Sequence, residues 1–434
     1  MIVIIKSQNN NLLDVLNRNP NTDEGLYLQS WKRGVIVGDA VSVCRYDVVF
    51  QDTRRSYVPE DSNAIDFQSY ASPQVILDIV SELFGHLTKG RKEVQEREIK
   101  WLAKRYIEVD DQTCTIEIPT VYMHSYWVKK NNFLLSKYLE GVTIQHKVGH
   151  NYSLRIEADT IFDAINLLST VCVFVHITNQ YGISTFIDDM YAKKYARILT
   201  NYPSVPYFVF YLFIKRLAKT KRIFDVIKPI FESYLERQGL EAVLTYLPTH
   251  KARINYILEK LDMSLPVLDI GCGEFMYYRA LMRKPFFELY IGVDEEPKFA
   301  RVAENMKERY SAGNLRFMTR LEDVDREKKY NIILSEVVEH NPMDVAISLV
   351  EKALEFNMNQ CVITTPNVEF NQYYSDTIES RHDDHDFELT RDEFVEFVER
   401  CIASRSDLMY EIDFIGDSLN GIQPTQVAII KPKS

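Results

Sequence analysis

A chain of 434 residues, 46% hydrophobic and 26% charged with only 15 glycines and 15 prolines, has room for two or three domains; it is not disordered, collagen-like or mucin-like. Its net charge of −11 is uneven: from Lys251 onward 22 Lys and Arg face 34 Asp and Glu, whereas 29 face 28 before that point. An acidic half does not draw phosphate through its overall field, so nucleic-acid handling there needs a cation, a local basic patch or a partner.

The opening MIVIIKSQNN lacks a basic n-region and a cleavage site and reads as a β-strand rather than a signal peptide. Residues 41–50 and 114–118 alternate as half-buried strands do. Residues 73–87 carry Val75, Ile76, Ile79, Val80, Leu83 and Phe84 at helical spacing, and 160–175 and 209–218 also read as helices. The apolar runs 167–175 and 207–214 fall short of the roughly 20 residues of a membrane span. Cys44, Cys114, Cys172, Cys272, Cys361 and Cys401 show no paired spacing, as expected of free thiols in a reducing cytoplasm. Basic runs at 89–92, 129–130 and 215–222 read as solvated helix faces, the last dense enough to contact RNA or an acidic partner. Residues 1–238 hold no recognisable phosphate loop, catalytic triad or metal cluster, which points to binding or scaffolding.

The pattern changes over 239–434. A helix at 240–262 precedes strands at 266–270 and 289–294, a helix at 297–310, and strands Leu315–Met318 and Tyr330–Ser335. A helix at 344–357, a strand at 360–364 and a helix at 391–404 follow. Leu408–Ile415 and 425–431 can close as an antiparallel hairpin. Alternating β and α units imply an α/β, mostly parallel sheet covered on both faces, with ligands at the carboxyl ends of its strands.

Residues 267–273, VLDIGCG, take an apolar strand into a glycine turn. Gly271 and Gly273 admit close backbone approach and positive φ. Asp269 sits where a carboxylate can reach an ammonium group, and Asp294, ending the next strand, can accept from ribose hydroxyls. Cys272 within the turn and Ser335 at a strand end complete the candidate cofactor residues. Met276 stands where a dinucleotide site has its third glycine, which favours S-adenosylmethionine over a dinucleotide. DxGxG…D is the first-motif pattern of class I methyltransferases.

Tyr330–Ser335 runs into SEVVEHNP. A helical turn from Glu336 would set Glu339 at i+3 and His340 at i+4 on one face, three parts of a divalent-cation site; metal-free methyltransferases can carry a similar run for packing. TPNVEFN at 365–371 follows the next strand, and RHDDHDFELTRDEF at 381–394 offers His385 as a fourth ligand, with His382 its competitor. Thr390 would cap the following helix, with Glu393 closing a capping box.

Together these segments resemble the RNA 3′-terminal 2′-O-methyltransferases, the Hua-enhancer family, over roughly residues 240–434. The resemblance implies a class I methyltransferase-like (Rossmann-like, seven-stranded) domain, with Glu336, Glu339, His340 and His385 as metal-binding catalytic residues for Mn²⁺ or Mg²⁺. It also implies methyl transfer to the 2′-hydroxyl of an RNA end bearing a free 2′,3′-diol, with His340 or His382 accepting the proton. Residues 70–91 and 167–201 resemble the family's bacterial branch. That implies a separate α+β N-terminal region, of one or two subdomains, docking a polynucleotide kinase–phosphatase and an RNA ligase in a cytoplasmic repair hetero-oligomer. Phe275 departs from a usual glycine and Leu389 from a usual tryptophan; Glu322 or Asp323 is the candidate adenine contact. The competing readings are a metal-independent small-molecule (quinone-type) O-methyltransferase and a non-catalytic scaffold with a decayed methyltransferase domain.

Overall fold

The computed structural model describes residues 2–16, 25–31, 34–52, 71–88, 98–99, 105–106, 112–124, 139–179, 187–282, 288–310, 312–374 and 384–433. The chain divides into two compact units, Met1–Tyr234 and Leu235–Ser434; the sequence-based boundary stood at 238/239.

The first unit is α+β. Its strands are β1 (Ile2–Ser7), β2 (Gly25–Trp31), β3 (Gly34–Ser42), β4 (Arg45–Asp52), β5 (Cys114–Tyr122), β6 (Val142–Val148) and β7 (Asn151–Ala158). They form one antiparallel sheet in the order β2-β3-β4-β1-β5-β7-β6. The alternating stretch 41–50 is not one strand: the chain turns at Val43 and Cys44 between β3 and β4, and the alternation survives because both arms bury the same face. The helices are α1 (Leu12–Val15), α2 (Pro73–Phe84), α3 (Ile161–Asn179), α4 (Asp189–Asn201), α5 (Tyr207–Arg216) and α6 (Lys221–Arg237). Helix α3 is long and apolar enough to cross a membrane, beyond what its unbroken apolar run indicated, but 94% of its apolar window is buried inside the unit. Polar side chains interrupting that run turn back on their own helix, Asn166 donating to the Phe162 carbonyl and Ser169 to Ile165. The basic run 215–222 spans the end of α5 and the start of α6; the runs at 89–92 and 129–130 lie outside the described residues.

In the second unit the strands are β8 (Val267–Ile270), β9 (Tyr290–Val293), β10 (Leu315–Met318), β11 (Tyr330–Ser335), β12 (Met358–Pro366), β13 (Leu408–Ile415) and β14 (Thr425–Pro432). They order as β10-β9-β8-β11-β12-β14-β13, six running in one direction and β14 alone against them. This is the expected class I methyltransferase-like sheet, closed by the expected hairpin. The helices are α7 (Thr249–Lys260), α8 (Met276–Leu281), α9 (Lys298–Tyr310), α10 (Met343–Leu354) and α11 (Arg391–Ile402). Strands β8 and β9 are buried at every residue because helices cover both faces. Leu268, Ile291, Ile332 and Leu334 face α10 and α11, while Val267, Tyr290 and Ile333 face α7, α8 and α9. The expected helix 240–262 is shorter: Ala242–Val243 instead pairs with Ser418–Leu419, and Pro248 starts α7.

The capping box on α11 forms as expected, Thr390 Oγ1 accepting from the Glu393 N–H and the Glu393 carboxylate accepting from the Thr390 N–H. Thr390→Ala should cost about 1 kcal/mol of stability, read as a lowered urea midpoint at unchanged slope.

Candidate functional site

At the carboxyl end of β8 the chain turns through Gly271 (φ +74°) and Gly273 (φ +47°). A Cβ at Gly271 would run into Val337, while the space over Gly273 is open, as a backbone that cradles a ligand requires. Asp294 is aimed by two hydrogen bonds, Oδ2 accepting from the Gly273 N–H (3.1 Å) and Oδ1 from the Glu296 N–H (3.0 Å). Cys272 is buried and Ser335 half-buried. Asp269 is 2% exposed and accepts from the Tyr290 hydroxyl. Burial pushes its carboxyl up to about 7; the Tyr290 hydrogen bond opposes that rise and the Asp294 charge adds to it.

Phe275, which stands at the usual glycine, keeps the glycine's conformation at φ +58°. Its ring is fully buried near Tyr290 and Phe317. The room comes from Gly292, directly across the sheet from Asp269, where a Cβ would collide with Phe275 and Cys272. Leu389 likewise fills the core in place of the usual tryptophan.

The second constellation lies past β11. Glu336 takes φ +55°, and a 3₁₀ turn, Val338–His340, follows. One helical face for all three residues is therefore not formed, because the left-handed residue redirects the chain before the turn begins. Glu339, His340 and His385 do converge: one ligand atom from each lies within 4.8 Å of the others. The two imidazoles meet edge to face at 4.8 Å. His340 Nδ1 lies 3.1 Å from the Asp384 carbonyl, which can only accept, so Nδ1 donates. His385, its side chain 3% exposed, sets Nδ1 2.7 Å from Glu388 Oε1, and Glu388 is held by Asn371 at 2.6 Å.

Glu339 is fully buried. Thr365 Oγ1 donates to its Oε2 (3.2 Å), while its Oε1 has no donor among the described residues. Burial, then the neighbouring Glu336, holds its carboxyl well above the usual carboxylate range. An orphaned buried carboxylate oxygen beside two imidazoles fits a divalent cation with mixed nitrogen and oxygen preference.

Glu336 does not join that group. Its Oε2 lies 2.8 Å from Nη1 of Arg253, an α7 residue only 8% exposed. A polar chain links this pair to the cofactor turn: Tyr277 donates to Ser335 (2.6 Å), Ser335 and Thr364 share a hydrogen bond (2.8 Å), and Thr364 donates to Glu336 Oε1 (3.2 Å). The start of β14 and the loop before it brace both segments around the cluster. Gln426 Nε2 donates to the Leu389 carbonyl (2.9 Å), and Asn367 binds the Pro424 carbonyl through its N–H (3.0 Å) and the Gln423 carbonyl through Nδ2 (3.1 Å). His382 lies outside the described residues, and Glu322 and Asp323 are exposed beyond β10, Glu322 near Arg320 and Lys352.

A family model of the Hen1 N-terminal domain matches residues 2–236. The chain belongs to the Hen1 family. One chain of a solved Pnkp1/Rnl/Hen1 RNA repair complex matches with a TM-score of 0.89 at 46% identity, covering 99% of this chain and 100% of that one. The small RNA 2′-O-methyltransferase of Arabidopsis thaliana is 30% identical over 45% of this chain and 24% of its own length. That of Schizosaccharomyces pombe is 28% identical over 40% of this chain and 53% of its own length. The matches thus span about a quarter and about half of these two curated relatives.

For this Hen1 chain the sequence reading missed Arg253, Tyr277, Thr364, Thr365, Asn371, Glu388 and Tyr290 as partners of the site. Glu388 carried a signal, a carboxylate three residues after His385 in HDFE; Arg253 and Tyr290 carried none, each lying far along the chain from the group it meets.

Proposed function

We propose that this chain transfers methyl from S-adenosylmethionine to the 2′-hydroxyl of the 3′-terminal ribose of RNA, with help from a divalent cation. It would work in a repair assembly whose kinase–phosphatase and ligase are docked by the N-terminal unit. The carrying observation is the convergence of Glu339, His340 and His385, with an orphaned buried oxygen, at the same sheet edge as the Gly271–Gly273 turn. The names of the relatives and of the 46% identical repair-complex chain support the reading. Six free cysteines, five of them buried, fit a cytoplasmic setting.

In this reading Asp269, Cys272, the two glycines, Asp294 and Ser335 hold the cofactor, Asp294 at its ribose and Asp269 toward its ammonium group. S-adenosylmethionine supplies an electrophilic methyl on sulfur. Glu339, His340 and His385 would hold the cation, and Glu336 completes the set only by leaving Arg253. When bound, Mn²⁺ or Mg²⁺ would favour ionisation of a ribose hydroxyl and select a vicinal diol. Glu388 and the Asp384 carbonyl each hold one imidazole at Nδ1, which orients the rings beside Glu339. His340 would accept the proton where it does not hold the cation.

Short RNAs with defined 3′ ends test this directly. With labelled cofactor and Mn²⁺, a 2′,3′-diol end should be methylated and 2′-deoxy or 3′-phosphate ends at least about 100-fold less. Equal labelling of all three would reject the diol model, and full activity in excess chelator would favour the metal-independent enzyme. Co-purification from native extract should recover a kinase–phosphatase or ligase.

A further inference from the structure

We propose that Tyr290 is a positioning residue for the cofactor: its hydroxyl, donating to Asp269, keeps that buried carboxylate ionised and aimed for the ammonium group of S-adenosylmethionine. The inference rests on the cofactor reading above. Tyr290 lies on β9, two residues along the strand from the pairing of Asp269 with Gly292, with its side chain therefore on the same face as Asp269. The ring is wholly buried against Phe275 and Tyr278, so the phenol has a fixed direction. Gly292 carries no side chain to come between them.

The surroundings give this hydroxyl its importance. Among the described residues, the titratable groups that face Asp269 are Tyr290 on β9, Asp294 at the end of β9, Cys272 in the turn and Tyr277 on α8, and none of these is a cation. The nearest buried cation on α7, Arg253, is committed to Glu336. Asp294 accepts its own backbone donors and adds repulsion. A buried carboxylate in such company is costly unless a donor satisfies it. Among the described residues the Tyr290 hydroxyl is the side-chain donor given to Asp269.

The sign of the pH dependence follows. Burial sets the Asp269 carboxyl at about 7, and a cationic group binds the ionised form. Affinity for S-adenosylhomocysteine, which keeps the ammonium, should therefore be full above pH 7 and fall by up to about tenfold per unit below it. Removing the hydroxyl moves that midpoint upward.

The full-length chain is titrated calorimetrically with S-adenosylhomocysteine from pH 6 to 8.5. Wild type should show the fall toward low pH, and Tyr290→Phe should bind about tenfold more weakly at pH 7, converging on wild type at the alkaline end. Asp269→Asn should flatten the profile, and adding Tyr290→Phe to it should change little. 5′-Methylthioadenosine, which lacks the ammonium, should bind both proteins alike at every pH. A uniform loss for Tyr290→Phe at all pH values, an unchanged profile, additive effects in the double variant, or a pH dependence surviving in Asp269→Asn each overturns the proposal. Absence of wild-type binding at every pH overturns instead the cofactor reading beneath it.

Discussion

Alanine at His385 should lower methyl transfer by about 1,000-fold or more while leaving cofactor affinity within about twofold. The imidazole is nearly inaccessible, is oriented by Glu388, and offers a ligand atom to the space it shares with Glu339 and His340. Losing a ligand that polarises a reacting oxygen forfeits several kcal/mol of transition-state stabilisation, and each 1.36 kcal/mol is tenfold. The cofactor turn belongs to β8 and is braced from β9, which explains the separation of effects. Glu388→Gln, which alters the contacts of Glu388 with His385 and Asn371, should cost about 10- to 100-fold and be partly recovered by more Mn²⁺. Wild-type rates for the His385 variant would remove the cation from the reaction.

Glu339→Gln should raise the melting temperature of the metal-free protein while abolishing activity. A buried carboxyl held well above the usual carboxylate range, with one oxygen unsatisfied, must take up a proton or carry an unpaired charge at neutral pH, and either destabilises the fold. An amide of the same shape removes the charge. The two proteins should part further on adding Mn²⁺: ligand binding to the folded state alone raises the wild-type melting temperature, and the variant should barely respond. Glu336→Ala should do the opposite without metal, since it strands the buried guanidinium of Arg253 at a cost of about 3–5 kcal/mol. Calorimetric scans with and without Mn²⁺ read all three. A Glu339→Gln protein less stable than wild type in chelator, or equally stabilised by Mn²⁺, would exclude Glu339 from the cation site.

The parallel sheet was legible because strands buried on both faces read as short unbroken apolar runs, 267–270 and 330–335 among them, with helical periodicity between. Glu339, His340 and His385 were legible because two short motifs at the ends of adjacent segments must approach each other on such a sheet. The posture of Glu336 was not: a left-handed glutamate leaves no mark in composition, and its partner arginine lies more than eighty positions earlier. The hairpin splitting 41–50 was hidden for a similar reason, as it turns without glycine or proline and both arms keep the same alternation.

The bracing of Asn367 and Leu389 by residues 423–426 makes the terminal hairpin a clasp on the chemistry although it supplies none of the reacting groups. A version of the chain cut after α11 would retain all the proposed ligands, yet the two segments that carry or flank them would come unfastened together. Damage at the tail would thus register first as a loosened cluster of Glu339, His340 and His385, well before the glycine turn noticed.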